Sequence, residues 1–424
     1  MTLKMLSRAA TSALVLGLLS VGAVAIAVPA VAADKTKEEP KGKVPKASRK
    51  AQKPLGEIQK LIGEQKFEEA KPKIAEAEAL PDLTADDRYF INNFKYNTAL
   101  ALKDNAMLEQ ALEAMAISEF TAETDRPKIL QNLIALAFQR QDMPKAIEQS
   151  KRLLQLAPDN VDARMNLGRV YYNQDDFSNA LGAFKEAIAT ATRLGQPVEE
   201  SYYKIVAQTA LRANNQAELR SAMLELVKAY PSSTNWRDAL VLYRDTPGMT
   251  DPLILDSYRL QWLNEALVGE RDYIEMAEIA LTKRGLPGEA KSVLEKGIAN
   301  GVFTKAKGVA NEMLTQAKGR VGADQKSLPG LEKEARAGKT GDFAASVVGQ
   351  GYLSYADYAK AIEFYQLALS KGVKNPDEVN LQLGIALVGG GRAAEALPAF
   401  ANVKGALARP LADLWAAYAT RKAQ

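Results

Sequence analysis

The chain has 424 residues, 47% of them hydrophobic, and contains neither histidine nor cysteine, which removes Ser-His-Asp and Cys-His nucleophiles, imidazole proton shuttles, ordinary zinc sites and any disulfide framework. The formal net charge is +4 and is unevenly spread: residues 34–54 hold eight Lys or Arg against three Asp or Glu. Everything after them is close to neutral or mildly acidic, so the clustered cationic face that phosphate binding requires is missing and no nucleic-acid partner is expected.

Residues 1–33 read as a secretory signal peptide. Lys4 and Arg8 precede an almost wholly apolar run over residues 11–28, and Val31, Ala32 and Ala33 offer small side chains for cleavage before Asp34. The apolar run is also close to the length that spans a bilayer, so an uncleaved inner-membrane anchor is the alternative. Pro29 and the paired alanines favour cleavage and a periplasmic location. Residues 34–54 are Lys-rich and apolar-poor, and are expected to form a disordered linker capable of weak contact with an anionic membrane or cell wall.

From residue 55 onward a period of 34–35 residues organises the chain. Phe67, Ala70, Ile74 and Ala77 mark one amphipathic helix before Leu80-Pro81, and Leu108, Ala111 and Met115 mark another. The clearest units are 127–160 and 161–194. Leu167, Gly168, Tyr171, Phe177, Ala180, Phe184 and Ala187 define the second, while Ile134, Met143, Ala146, Ser150 and Leu153 sit 34 residues earlier at the matching offsets. In 199–232 the Ala position has become Leu219, and Tyr230-Pro231 ends the helix. Residues 55–243 thus form an N-terminal array.

Arg244 to Asp256 is rich in turn residues and reads as a break, flanked by Trp236 and Trp262, which are expected in the core. Over 257–341 the repeats are irregular, with one unit readable from Tyr273, Ala277, Ala280, Gly288, Ala290 and Leu294. The period returns at Gly349, Tyr352, Tyr358, Ala361, Tyr365 and Ala368, then at Gly384, Leu387, Ala396, Phe400 and Val403, so 342–424 holds C-terminal repeats and a capping helix. Two helices per period, repeated, make an all-α solenoid of stacked helix-turn-helix repeats.

These residues resemble the tetratricopeptide repeat family. The resemblance implies a right-handed α-solenoid, in two arrays joined by the irregular middle. It implies Gly168 and Ala180 facing each other across a helix pair, with Phe177 and Phe184 filling the gap to the next repeat. It also implies that the first helix of each unit lines a concave groove for a peptide or partner helix. Asn97, Asn132 and Asn166 each stand fourteen residues before their repeat's alanine. In family members that grip extended peptides, asparagines there bond the ligand main chain, since a carboxamide both donates and accepts. Tyr96, Gln131, Arg169, Tyr172 and Lys204 are expected beside them on the groove surface. Ile205 and Gln382 interrupt the ladder later on.

Other motifs carry less. Ala337-Gly338-Lys339-Thr340 ends like a phosphate loop but has Lys333 where the upstream glycine belongs, and no strand precedes it. Gly389-Gly390-Gly391 relieves a turn between helices. Acidic pairs such as Glu68-Glu69 and Glu199-Glu200 sit at helix starts, where negative charge suits the macrodipole. No catalytic residue, metal or cofactor is expected. The sequence reads as a non-catalytic exported adaptor for a protein or peptide partner. An accessory or enzyme acting on envelope glycan, and a structural subunit of an envelope complex, are the alternatives.

Overall fold

The computed structural model describes residues 44–424. The leader, and residues 34–43 of the linker, lie outside the described residues. Among those described, every regular element is an α- or π-helix, and none is long and apolar enough to cross a membrane. The chain divides after Pro197 into two compact units.

Unit 1 is four successive helix pairs: α1 (Arg49–Gly63) with α2 (Phe67–Glu78), α3 (Ala85–Leu102) with α4 (Asn105–Ile117), α5 (Arg126–Gln139) with α6 (Met143–Leu156), and α7 (Val161–Asn173) with α8 (Phe177–Arg193). Each helix packs on the next. Three of the pairs share one tight turn, built from a left-handed residue followed by an aspartate. Lys103, Gln141 and Asp175 have φ of 57°, 59° and 57°. The N–H of the following Asp104, Asp142 or Asp176 then reaches back to the carbonyl of Ala99, Ala137 or Tyr171, each at 2.9 Å. The aspartate side chain turns forward and accepts the N–H of Met107, Lys145 or Asn179. One helix is closed and the next opened within three residues, so these carboxylates are spent on folding.

Within α7 and α8, a Cβ built on Gly168 would lie 2.5 Å from the ring of Phe184, so the glycine makes room for that ring. Phe184 is fully buried, and Phe177 packs edge-on against Tyr172 of its own pair, ring centroids 5.6 Å apart. Both aromatics thus make contacts within their own repeat, Phe184 over Gly168 and Phe177 against Tyr172.

Unit 2 begins with α9 (Glu200–Arg212) and α10 (Gln216–Ala229), again joined by a left-handed residue and a cap, Asn214 and Asn215. It continues through α11 (Ser233–Arg244), α12 (Asp251–Leu263), α13 (Glu270–Glu278) with its π-helical extension Ile279–Lys283, α14 (Pro287–Ala299) and α15 (Lys307–Ala337). A second π-helical segment, Ala344–Gly349, runs into α16 (Gln350–Ser354), followed by α17 (Tyr358–Lys371), α18 (Pro376–Gly389), α19 (Ala393–Ala401) and α20 (Arg409–Ala423).

Helix α12 lies at the centre of this unit, in contact with α11, α13, the first π-helical segment, α18 and α20. Its stretch from Leu255 to Gln261 is buried without interruption. Helix α20 returns to pack on α10 and α12 as well as on α19. The Tyr243 hydroxyl donates to the Leu407 carbonyl at 2.9 Å, the Trp415 indole N–H donates to the Asp256 carbonyl at 3.2 Å, and Arg421 donates to Asn264 at 2.8 Å. Unit 2 therefore closes on itself, and α20 is more than an end cap.

Several boundaries move. Helix α1 starts at Arg49, inside the expected linker, because Ala51 begins its buried face and the Ser48 N–H is held by Asp87 at 2.8 Å. The turn-rich break shrinks to residues 245–250, since Asp251 and Pro252 open α12, a position that suits proline. The irregular middle contains a helix of 31 residues. Trp236 is buried as expected, with its ring against Tyr418, whereas Trp262 is only half-buried, against Tyr273 and beneath the Lys296 ammonium.

Candidate functional site

Asn97, Asn132 and Asn166 fall on α3, α5 and α7, the first helices of three consecutive pairs in unit 1. Their carboxamides are differently occupied. Asn97 is exposed and folds its amide onto the Asn93 carbonyl one turn back, at 2.9 Å. The Asn166 carbonyl oxygen accepts a bond from Arg169 at 3.2 Å. Asn132 is half-buried, and its amide nitrogen is out of contact with solvent and has no partner. A buried donor left unsatisfied costs about 1–3 kcal/mol, so of the three Asn132 gains most from an incoming acceptor. The bonds at Asn97 and Asn166 are short-range and exchangeable, which leaves both able to turn toward a ligand.

The flanking residues are divided. Gln131 and Arg169 are exposed beside the ladder, and Tyr172 is half-buried with one edge against Phe177. Tyr96 does not belong with them. It is 2% exposed and packs in the main core cluster of unit 1, because adjacent residues on a helix point about 100° apart and the neighbour of an outward Asn97 turns inward. Lys204 lies on α9, in unit 2, and is ion-paired with Glu200 one turn earlier at 2.8 Å. Gln382, one of the residues that interrupts the ladder, is buried and bonded to Glu378 at 3.4 Å.

Two residues escaped the sequence reading. Gln139 and Asn173 stand seven positions after Asn132 and Asn166, on the same helical faces, and both are exposed. The Gln139 oxygen accepts from Asn105 at 3.1 Å. The seven-residue step was the available signal, and it extends the row of amides along α5 and α7.

A concavity of 530 Å³ lies elsewhere, between the second helices α4 and α6. Glu113, Ile117, Lys145, Glu148 and Arg152 line it. Its cation Lys145 is held by Glu109 at 2.7 Å and by Glu113, and Glu109 also receives Arg140. These charges tie one repeat to the next. Among the described residues no group of three or more Asp or Glu is placed to hold a metal ion.

Residues 133–217 match the family model described as tetratricopeptide repeat. No curated protein matches the chain. Among solved structures, the chain is similar to the C-terminal part of a TPR repeat-containing protein from Cytophaga hutchinsonii, at 11% identity and a TM-score of 0.28, over 77% of this chain and 98% of that one. It is also similar to the TPR2AB domain of yeast Sti1 in complex with pHSP90, at 10% identity and a TM-score of 0.25, over 71% and 100%. A third likeness is to the TPR domain of P58(IPK), at 12% identity and 0.24, over 80% and 98%.

Proposed function

Residues 133–217 match the tetratricopeptide repeat family model, whose members are typically non-catalytic protein–protein scaffolds, and we propose that this chain is an exported adaptor that grips an extended segment of a partner protein along the inner helices of unit 1. Asn97, Asn132 and Asn166 contact the partner's main chain, and Gln131, Arg169 and Tyr172 select among side chains. The observation that carries the reading is the recurrence of a carboxamide at one register on three consecutive inner helices, with the Asn132 amide buried and unpartnered. A carboxamide can satisfy a peptide N–H and C=O together, so a row of them recognises backbone rather than sequence.

The test is affinity capture with the mature protein taken from its own envelope fraction. Its N-terminus, read by mass spectrometry, is expected at Asp34. The variant carrying Asn97→Ala, Asn132→Ala and Asn166→Ala is expected to lose the captured partner while its melting temperature stays within a few degrees of wild type. Capture that survives the triple change refutes the groove reading, and a chain that retains Met1 refutes cleavage of the leader.

A further inference from the structure

The interior of unit 2 holds charges that helix packing alone does not require. Asp256, midway along α12, is fully buried. One of its carboxylate oxygens accepts from Arg259 at 2.6 Å and the other has no partner. Arg259 turns the rest of its fork to Glu289 on α14, at 2.8 and 2.6 Å. Glu378 on α18 pairs with Arg284, just after the first π-helical segment, at 3.6 Å. From α17 comes Tyr365, fully buried with an unpartnered hydroxyl, and from α11 Tyr243. Helix α20 brings the Trp415 indole onto the Asp256 carbonyl. On the other flank of α12, Asp272 and Glu275 of α13 act on Arg244 and Tyr258.

The carboxylates Asp256 and Glu289 thus share the single guanidinium of Arg259, which leaves one negative charge in excess in this buried group, while Glu378 and Arg284, both partly exposed, offset each other at its edge. An uncompensated buried charge is costly, and neutralisation by a proton is its usual resolution. Both oxygens of Glu289 are already held by Arg259, so Asp256, with its idle oxygen, is where the proton fits.

We propose that unit 2 is a proton-sensitive ring, in which protonation of Asp256 balances the buried charge and tightens the closure of α20 over α12, while deprotonation at neutral pH loosens it. Burial pushes the Asp256 carboxyl up to about 6, against the opposing pull of Arg259. The chain has no histidine, so the interval between pH 5 and 7 is otherwise nearly silent. Asp238 on α11 is also raised, by partial burial, and serves as a control. The sign follows from linkage. Between the ordinary aspartate value and about 6, the closed state holds a proton that the open chain lacks, so closure strengthens as pH falls from 7 to 5, by about tenfold.

The experiment is amide hydrogen exchange of the full chain, corrected for intrinsic rates, at about pH 7 and pH 5. In the wild-type protein and in Asp238→Asn, protection of α20 is expected to rise about tenfold on acidification, and in Asp256→Asn the rise is expected to vanish. A rise that persists in Asp256→Asn, or no rise in the wild type, overturns the proposal. Should Asp256→Asn not fold, the infrared carbonyl band of a protonated carboxyl in the wild-type protein decides. A band gained with a midpoint near pH 6 supports the proposal, and its absence refutes it.

Discussion

Gly168 holds its place in α7 because the Phe184 ring lies over it, and the same arrangement recurs at Gly384 under Phe400 and Gly349 under Tyr365, where an added Cβ would come within 2.3 and 2.8 Å of the ring. One repeat before Gly168, the equivalent pair is Ile134 and Ser150, both buried. The repeat therefore conserves volume at this crossing and not residue type, with large on one helix matched to small on the other. Gly168→Ile alone should overpack the crossing and cost about 1–3 kcal/mol. Phe184→Ser alone should open a cavity and cost about 3–5 kcal/mol. Together they recreate the Ile134 and Ser150 arrangement, so the double variant should be more stable than Phe184→Ser by urea denaturation. Simple additivity of the two costs would refute the shared crossing. The sequence period located Gly168 but not its contact with Phe184, because spacing defines a helical face and not which side chain reaches across it. Tyr96 was misplaced for the same kind of reason: the ladder identified its neighbour Asn97, and one step along a helix turned it into the core.

Helix α15 was illegible as an element because it lacks what makes helices visible. Gly308, Gly319, Gly322, Gly330 and Pro329 all fall within it, and they read as breakers. Its buried apolar residues lie toward its ends: Ala310 and Ala317 belong to the cluster formed with α13 and α14, and Leu328 and Ala335 to the cluster formed with α17 and α18, while polar bonds from Lys318, Arg320 and Asp324 hold the stretch between. No side chain of its own caps its start. Instead Glu270 of α13 accepts the N–H groups of Thr304, Lys305 and Ala306 at 2.8, 3.0 and 2.6 Å. The Thr304 hydroxyl and these N–H groups pull the Glu270 carboxyl down to about 2. That cap comes from 34–36 residues away, beyond any local capping pattern. Between the two anchored ends, Gly319 and Gly322 have nothing within 4 Å of a built Cβ, so nothing in the packing asks for glycine there. Gly319→Ala and Gly322→Ala should each stabilise α15 by about 0.5–1 kcal/mol. Slower amide exchange across residues 318–327 is the expected sign, and unchanged or faster exchange would mean that this stretch is not helical in solution. By contrast, the pairs α5 with α6 and α7 with α8 were readable nearly to their ends, since turn chemistry, capping aspartates and a regular core face agree there.

A strictly linear repeat array gains its stability from each unit and from the interface with its neighbour, so removing the last helix costs little beyond that helix's own contacts. Unit 1 fits that description, with contacts that run from each helix mainly to the next. Unit 2 does not, because α20 reaches back to α10 and α12. This return was absent from the sequence reading, which expected α20 only as a cap. A period reports what recurs between neighbours and is silent on contacts that span some 160 residues, such as Tyr243 to Leu407 and Trp415 to Asp256. Deleting residues 409–424 would uncover Trp236 and Leu260, both essentially buried, and strip the indole from the Asp256 carbonyl. Such a truncated chain should lose protection across α11 and α12 together, with both becoming cleavable in limited proteolysis, while α1–α8 remain resistant. A linear array predicts the opposite pattern, with damage confined to α18 and α19. If α11 and α12 stay protected after the deletion, closure by α20 does not stabilise unit 2, and a proton-dependent ring would have nothing to act on.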